Sequence, residues 1–244
     1  MNPSPRPEAA RRGWLAGVSR ASPIVLGYVP IGLAYGVLAQ KAGLSALNTL
    51  LMSLLVYAGS AQLIAVGLFA GGASVLSVVL TTFVVNLRHL LFSAAVAPFL
   101  KRWRKIDLAV FAYELTDETF AVHAAHFASE GVPGRAEVLA TNMTAQVSWI
   151  FGSALGVLVG NVIADVKPLG LDYALPAMFI ALLVLQIKDR VQVAVALLAG
   201  ALSAGLLLAG LEQWNVIVAT VAIATVGVML ETWDKRRSLS RSSA

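Results

Sequence analysis

Residues 107–127, DLAVFAYELTDETFAVHAAHF, decide how the rest of the chain is read. The stretch is long enough to cross a bilayer, yet with Asp107 it carries Glu114, Asp117, Glu118, His123 and His126. On a helix at about 100° per residue, the four carboxylates fall within roughly a third of a turn of one another, and the two histidines lie on other faces. An ionisable group at membrane depth costs about 2.5 to 3.5 kcal/mol on insertion scales, so such a face marks a bundle interior or a polar path. Two plainer readings stand beside it: an amphipathic element near the headgroups, or carboxylates held in structural salt bridges.

The surroundings are those of a membrane protein. The chain has 244 residues, 58% hydrophobic and 13% charged, with a mean hydropathy of +0.79. At roughly 20 residues per crossing, this predicts an all-α polytopic helical bundle of six to eight membrane segments, some of them broken or re-entrant. Residues 22–231 read as a single integral membrane domain between an N-terminal tail, 1–21, and a basic C-terminal tail, 232–244. The first twenty residues lack the apolar core of a cleaved signal peptide. There is no cysteine, which excludes disulfides and thiolate chemistry. No nucleophile, metalloprotease or phosphate-loop signature occurs, so no enzymatic activity and no cofactor are expected. His123 and His126 stand three apart without further ligands, and no metal site is expected. The net charge of +5 sits at segment ends and in tails, where it speaks for orientation rather than for a nucleic-acid partner.

Taken in order, the first segment, about Ser22 to Ala39, contains Gly27, Pro30 and Gly32. Proline removes a backbone donor and glycine permits close approach, so an interruption at Gly27 to Gly32 that offers backbone groups to a substrate is expected. The second, about Leu47 to Ala70, has a polar centre with Ser60 and Gln62. The third, about Ser74 to Ala97, places Thr82, Asn86, His89 and Ser93 on one stripe and Arg88 on another face. A buried arginine needs a carboxylate, and Asp117 and Glu118 are the expected partners. After the acidic stretch, a segment from about Ala136 to Val162 carries Asn142 and Gln146. Its Gly152, Gly156 and Gly160 form an extended small-residue face, the first candidate for docking a partner chain. A short segment, about Tyr173 to Gln186, and two apolar ones, about Val191 to Ala209 and Val216 to Leu230, complete the chain.

Lysine and arginine cluster in the N-terminal tail, at Lys101, Arg102, Arg104 and Lys105, at Lys188 and Arg190, and at Lys235, Arg236, Arg237 and Arg241. Basic loops favour the cytoplasm. Placing all four there requires one member of each trio of segments to be re-entrant or half-length, with the first and the acidic fourth as candidates. Three full crossings per trio would instead give an inverted repeat. A repeat is hinted at, since Tyr28 precedes Gln62 by almost the same interval as Tyr113 precedes Gln146. It would bring the Pro30 region opposite Asp117 and Glu118, as in transporters whose sites lie where paired broken segments meet.

The ordered motifs PIGLAYG at Pro30–Gly36, YAGSAQ at Tyr57–Gln62, NLRHLLFSA at Asn86–Ala94 and ELTDETFA at Glu114–Ala121 resemble the AzlC family. The resemblance covers about residues 20 to 230. It implies the large subunit of an exporter of branched-chain amino acids in the bacterial inner membrane, working with a small AzlD-type membrane subunit. The residues themselves point to a polar solute moved with proton coupling. Gly27, Pro30, Gly32, Ser60, Gln62, Asn86 and Gln146 are the expected substrate contacts, and Arg88, His89, Glu114, Asp117 and Glu118 the expected ion-pair and proton-coupling groups. An exporter of another small metabolite and a non-transporting scaffold or channel subunit remain the alternatives.

Overall fold

The computed structural model describes residues 7–163, 167–170 and 190–210, with scattered positions between 173 and 187 and between 218 and 227. Among these residues there is no strand. An all-α membrane bundle is what the apolar sequence required.

Helix α1 (Pro7–Lys41) runs unbroken through Pro23 and Pro30, which corrects the interruption expected at Gly27 to Gly32. Pro30 lies on the exposed outer face, and the opposite face is held by helix α8 (Arg135–Gly160), with which α1 makes its main contact. A methyl added at Gly32 would lie 2.9 Å from the Trp149 carbonyl oxygen, and one at Gly156 would lie 2.8 Å from Gly36 Cα. The two backbones therefore touch, as small residues allow in membranes. Gly17 meets Ala140, Gly32 meets Gly152 and Gly36 meets Gly156, so the helices run parallel. This corrects the docking role suggested for Gly152, Gly156 and Gly160: the face packs inside the bundle. Gly27 touches nothing within 4 Å of an added methyl. Gly27→Ala should therefore be neutral or stabilise by up to about 1 kcal/mol, because alanine has the better helix propensity; thermal unfolding in detergent checks this.

The interruptions fall in the second and fourth segments instead. Helix α2 (Ala46–Leu51), capped by Ser45, continues as a π-helical turn, Met52–Val56. The chain then turns at Tyr57, in the left-handed region at φ 42°, and Ala58 before helix α3 (Gly59–Ala70). Ala65 and Phe69 of α3 line one apolar cavity together with Gly43, Leu44 and Asn48, so α3 folds back beside α2. Helices α4 (Val75–Asn86) and α5 (Arg88–Val96), jogged at Leu87, continue through the turn Ala97–Leu100. Together they form a span of 26 residues, Val75–Leu100.

Helix α6 (Lys105–Tyr113) and helix α7 (Asp117–Ser129) form the second hairpin. Phe111 of α6 packs on His123 of α7 with ring centroids 5.4 Å apart, and Phe92 and Phe99 of the preceding span meet Phe120 and Phe127 at 4.5 and 5.8 Å. At its base Asp107 is ion-paired with Arg135, in the first turn of α8. The hairpin thus enters and leaves at one level, where Val96, Leu100, Phe111, Leu115, Phe127 and Val138 form a core cluster. Helices of 9 and 13 residues extend about 14 and 20 Å, short of the ~30 Å hydrocarbon core. The break at Glu114–Thr116 also removes Asp107 from the carboxylate face expected on a continuous helix.

Two full crossings, α1 and α4–α5, thus enclose a re-entrant hairpin from the far side, and α6–α7 re-enters from the side of the α1 N-terminus. Arg11, Arg12, Arg20, Lys101, Arg102, Arg104, Lys105 and Arg135 then share one side, as the basic clusters require. The second segment, not the first, takes the half-length place in its trio. Aligned members of the suggested repeat differ in shape, a continuous helix answering a hairpin each time. Residues 181–244 group as a second compact unit whose described helix, α9 (Arg190–Leu208), is long and apolar enough to cross. Most of the expected segments over Tyr173–Gln186 and Val216–Leu230, Lys188, and the 232–244 tail lie outside the described residues.

Candidate functional site

The tips of the two hairpins meet each other about halfway along α1 and α8. Thr116 begins α7 with a reciprocal cap: its hydroxyl accepts from the Thr119 amide while the Thr119 hydroxyl accepts from the Thr116 amide. Asp117 and Glu118 occupy the first turn of α7, where a helix favours negative charge. From the jog at Leu87, Arg88 reaches both tips. Its Nη2 lies 2.9 Å from Asp117 Oδ2 and also donates to Ser60 Oγ in the first turn of α3. The ion pair expected of Arg88 is therefore formed with Asp117.

Tyr28 of α1 joins the cluster from the other side. Its hydroxyl donates to Glu118 Oε2 at 2.6 Å and lies 2.7 Å from Thr116 Oγ1. Glu114, 5% exposed, has a carboxylate oxygen without a hydrogen-bond partner, and Tyr57, 2% exposed, has an unpartnered hydroxyl. Glu114, Glu118 and Tyr28 are electrostatic neighbours of Tyr57. Arg88 Nε, Asn86 Oδ1 and His89 Nε2 are also buried without partners. Around Arg88, Tyr57 and Glu114 the protein thus leaves donors and acceptors unused, the condition for a polar guest.

Other expected site residues are placed differently. Gln62 is fully buried with both ends of its amide engaged: Trp149 Nε1 donates to Oε1 at 3.0 Å and Nε2 donates to Ser53 Oγ at 3.2 Å. Ser53 in turn donates to Ser153 at 2.8 Å. Trp149 fills the space between Tyr28 and Tyr35, and a methyl at Gly59 would lie 2.8 Å from its ring. Gln146 Nε2 donates to Tyr113 Oη at 3.3 Å and to the Leu54 carbonyl at 3.4 Å, and Tyr113 also donates to that carbonyl. These bonds satisfy an acceptor in the π-helical turn. Gly27 and Pro30 reach none of this, and Gly32 is covered by α8.

His123 is buried, donates from Nε2 to Asn142 Oδ1 at 2.7 Å, and stacks on Phe127; this is a packing role. Among the described residues no group of histidine and carboxylate side chains could hold a metal. Asp107, in the loop-proximal first turn of α6, is held below the usual carboxylate range by its hydrogen bond to Arg104, with Arg135 adding to the effect. Its contribution to stability is present above that range and is lost only as the pH falls through its lowered value, so pH effects near neutrality arise elsewhere. Tyr28, Tyr57 and Tyr113 carry only motif or repeat positions in the sequence, and Trp149 and Ser53 no expectation at all. Their signal was aromatic hydroxyl, indole and hydroxyl donors inside apolar runs, each of which must find an acceptor.

Comparison with known proteins gives this cluster its context. The family model described as "AzlC protein" matches residues 23–163, which include both hairpins. The chain is 32% identical to an uncharacterized membrane protein of Archaeoglobus fulgidus, over 89% of this chain and 94% of that one. It is 28% identical to the inner membrane protein YgaZ of Escherichia coli (strain K12), over 82% of this chain and 84% of that one. It is 26% identical to the branched-chain amino acid transport protein AzlC of Bacillus subtilis (strain 168), over 67% and 64% respectively. No solved structure matches it. With the family matched across both hairpins and the ionisable groups between them, the chain is a membrane transport protein of the AzlC family.

Proposed function

We propose that this chain is the large subunit of a two-component exporter that moves branched-chain amino acids across the bacterial inner membrane with proton coupling. The observation that carries the reading is the mid-membrane cluster of Arg88, Asp117, Glu118, Glu114, Tyr28 and Tyr57, where cationic and anionic groups face one another at the ends of half-helices. Buried ionisable groups at the ends of discontinuous helices mark substrate and proton sites in secondary transporters. The name of the Bacillus subtilis relative supports the substrate class. The family resemblance supports export and a small AzlD-type partner, and the clustering of lysine and arginine on the side of the α1 N-terminus supports a cytoplasmic N-terminal tail.

Counterflow of labelled L-leucine in proteoliposomes, with and without the small subunit, tests the proposal. Leucine exchange that follows an imposed pH gradient is expected. Glu118→Gln should retain insertion and leucine binding but lose the response to the gradient, because the Tyr28–Glu118 pair can no longer release a proton. Unchanged pH dependence in this variant removes Glu118 from the proton path. Accumulation of other small metabolites without leucine exchange turns the reading to a different substrate.

A further inference from the structure

We infer that the first turn of α3 and the guanidinium of Arg88 form the seat of the substrate's carboxylate, and that Glu114 receives its ammonium group. The inference rests on the proposed function and names how an amino acid is held within it.

Two half-helices point their N-termini into the same cluster, and their first turns differ. In α7 the cap of Thr116 and the carboxylates of Asp117 and Glu118 already answer the free amides and the positive helix end. In α3 the N-cap residue is Ala58, which has no side chain to offer. Among the described residues the amides of Gly59, Ser60 and Ala61 make no hydrogen bond, while the next amide, of Gln62, already bonds the Ala58 carbonyl at 2.8 Å. Ser60 and Ala61 are buried, so water at the surface does not satisfy their amides, while Gly59 is half-buried. Free donors at such a depth persist only where a partner inside the protein or a guest completes them.

Independent groups point to the same guest. Arg88 bonds Ser60 at this helix end, and its Nε is buried and unpartnered. Tyr57, next to the N-cap, presents a buried hydroxyl without a partner, and Glu114 a buried carboxylate oxygen without one. Tyr57 and Glu114 interact electrostatically. Amides and a guanidinium on one side, with an unanswered carboxylate on the other, fit the two charged ends of an α-amino acid. On binding, the substrate carboxylate takes the guanidinium from Asp117, which frees that carboxylate. Recognition through the backbone charges common to all α-amino acids leaves the apolar surroundings to accept the aliphatic side chain.

The test uses the full-length chain in detergent and in proteoliposomes. Ala58→Asp places a carboxylate at the N-cap, where it accepts from the first-turn amides and occupies the seat. Its melting temperature should equal or exceed that of the unsubstituted chain, while the thermal shift and counterflow produced by L-leucine disappear. A retained leucine response, or a lowered melting temperature showing that the carboxylate found no donors, overturns the inference. Should this variant fail to accumulate, competition in the unsubstituted chain decides. Isopentylamine, which lacks the carboxylate, and the keto acid of leucine, which lacks the ammonium, should each compete at least about a hundredfold more weakly than leucine, because each leaves buried groups unanswered. Competition by either at the strength of leucine overturns the inference while leaving the transport reading intact. If the unsubstituted chain exchanges no amino acid at all, the proposed function fails and this inference with it.

Discussion

Arg88→Gln is expected to abolish leucine transport and to lower the stability of the protein by about 3 kcal/mol, the low end of the range for removing one partner of a buried ion pair. The low end applies because the arginine side chain remains 22% exposed while that of Asp117 is 10% exposed. The cost arises less from the lost attraction than from the Asp117 carboxylate, which would be left in the bundle without a cation. Arg88→Gln with Asp117→Asn should therefore recover most of the stability, since a neutral amide pair replaces a lone charge, yet transport should stay absent. Thermal unfolding and leucine counterflow on the two variants separate these effects. Equal stability in the single and double variants would mean that the pair contributes little, as exposed pairs do.

A loss of similar size is expected at the contact between α1 and α8. Gly156→Leu forces a branched side chain against the Leu33 carbonyl and Gly36 Cα. No flexible side chain there can move aside, so the helices must separate. Overpacking commonly costs about 1 to 3 kcal/mol, and a clash with backbone belongs at or above the top of that range. The variant should accumulate poorly in membranes, and the little that inserts should melt early. Gly160→Ala is the milder comparison, because there the nearest atom is the movable Gln40 side-chain oxygen. Gly32→Val is for the same reason a poor probe of substrate binding: it would fail through the contact with Trp149 and Ser153.

Much of the architecture was legible in the sequence, because hydropathy and basic clusters answer to the bilayer alone. The pairing of Arg88 with Asp117 was legible as well, since a charge at that depth must find its opposite. The position of the breaks was not. Pro30 suggested an interruption, yet a proline on the outer face of a helix that is held along its length by a neighbour costs one hydrogen bond and leaves the helix whole. The turn at Tyr57–Ala58 has neither proline nor a turn-forming pair ahead of it, and its left-handed residue is a tyrosine fixed by tertiary packing. At the other tip a signal was present and not used: Thr116 followed by Asp117 and Glu118 reads as a helix start, which divides the acidic stretch into two half-helices. Gln62, expected at the substrate, is instead taken up by Trp149 and Ser53, a pairing across distant helices that no local pattern announces.

Single-cysteine labelling tests the opposed hairpins most directly, and the absence of native cysteine makes the background clean. Lys101→Cys and Val132→Cys flank the α6–α7 hairpin, while Leu44→Cys and Ala73→Cys flank α2–α3. With a membrane-impermeant maleimide applied to one side of sealed vesicles, Lys101→Cys and Val132→Cys should react from the same side, and Leu44→Cys and Ala73→Cys should both react from the other. Reaction of Lys101→Cys and Val132→Cys from opposite sides would show that the acidic stretch crosses the membrane completely and would contradict the meeting of two re-entrant tips at its centre.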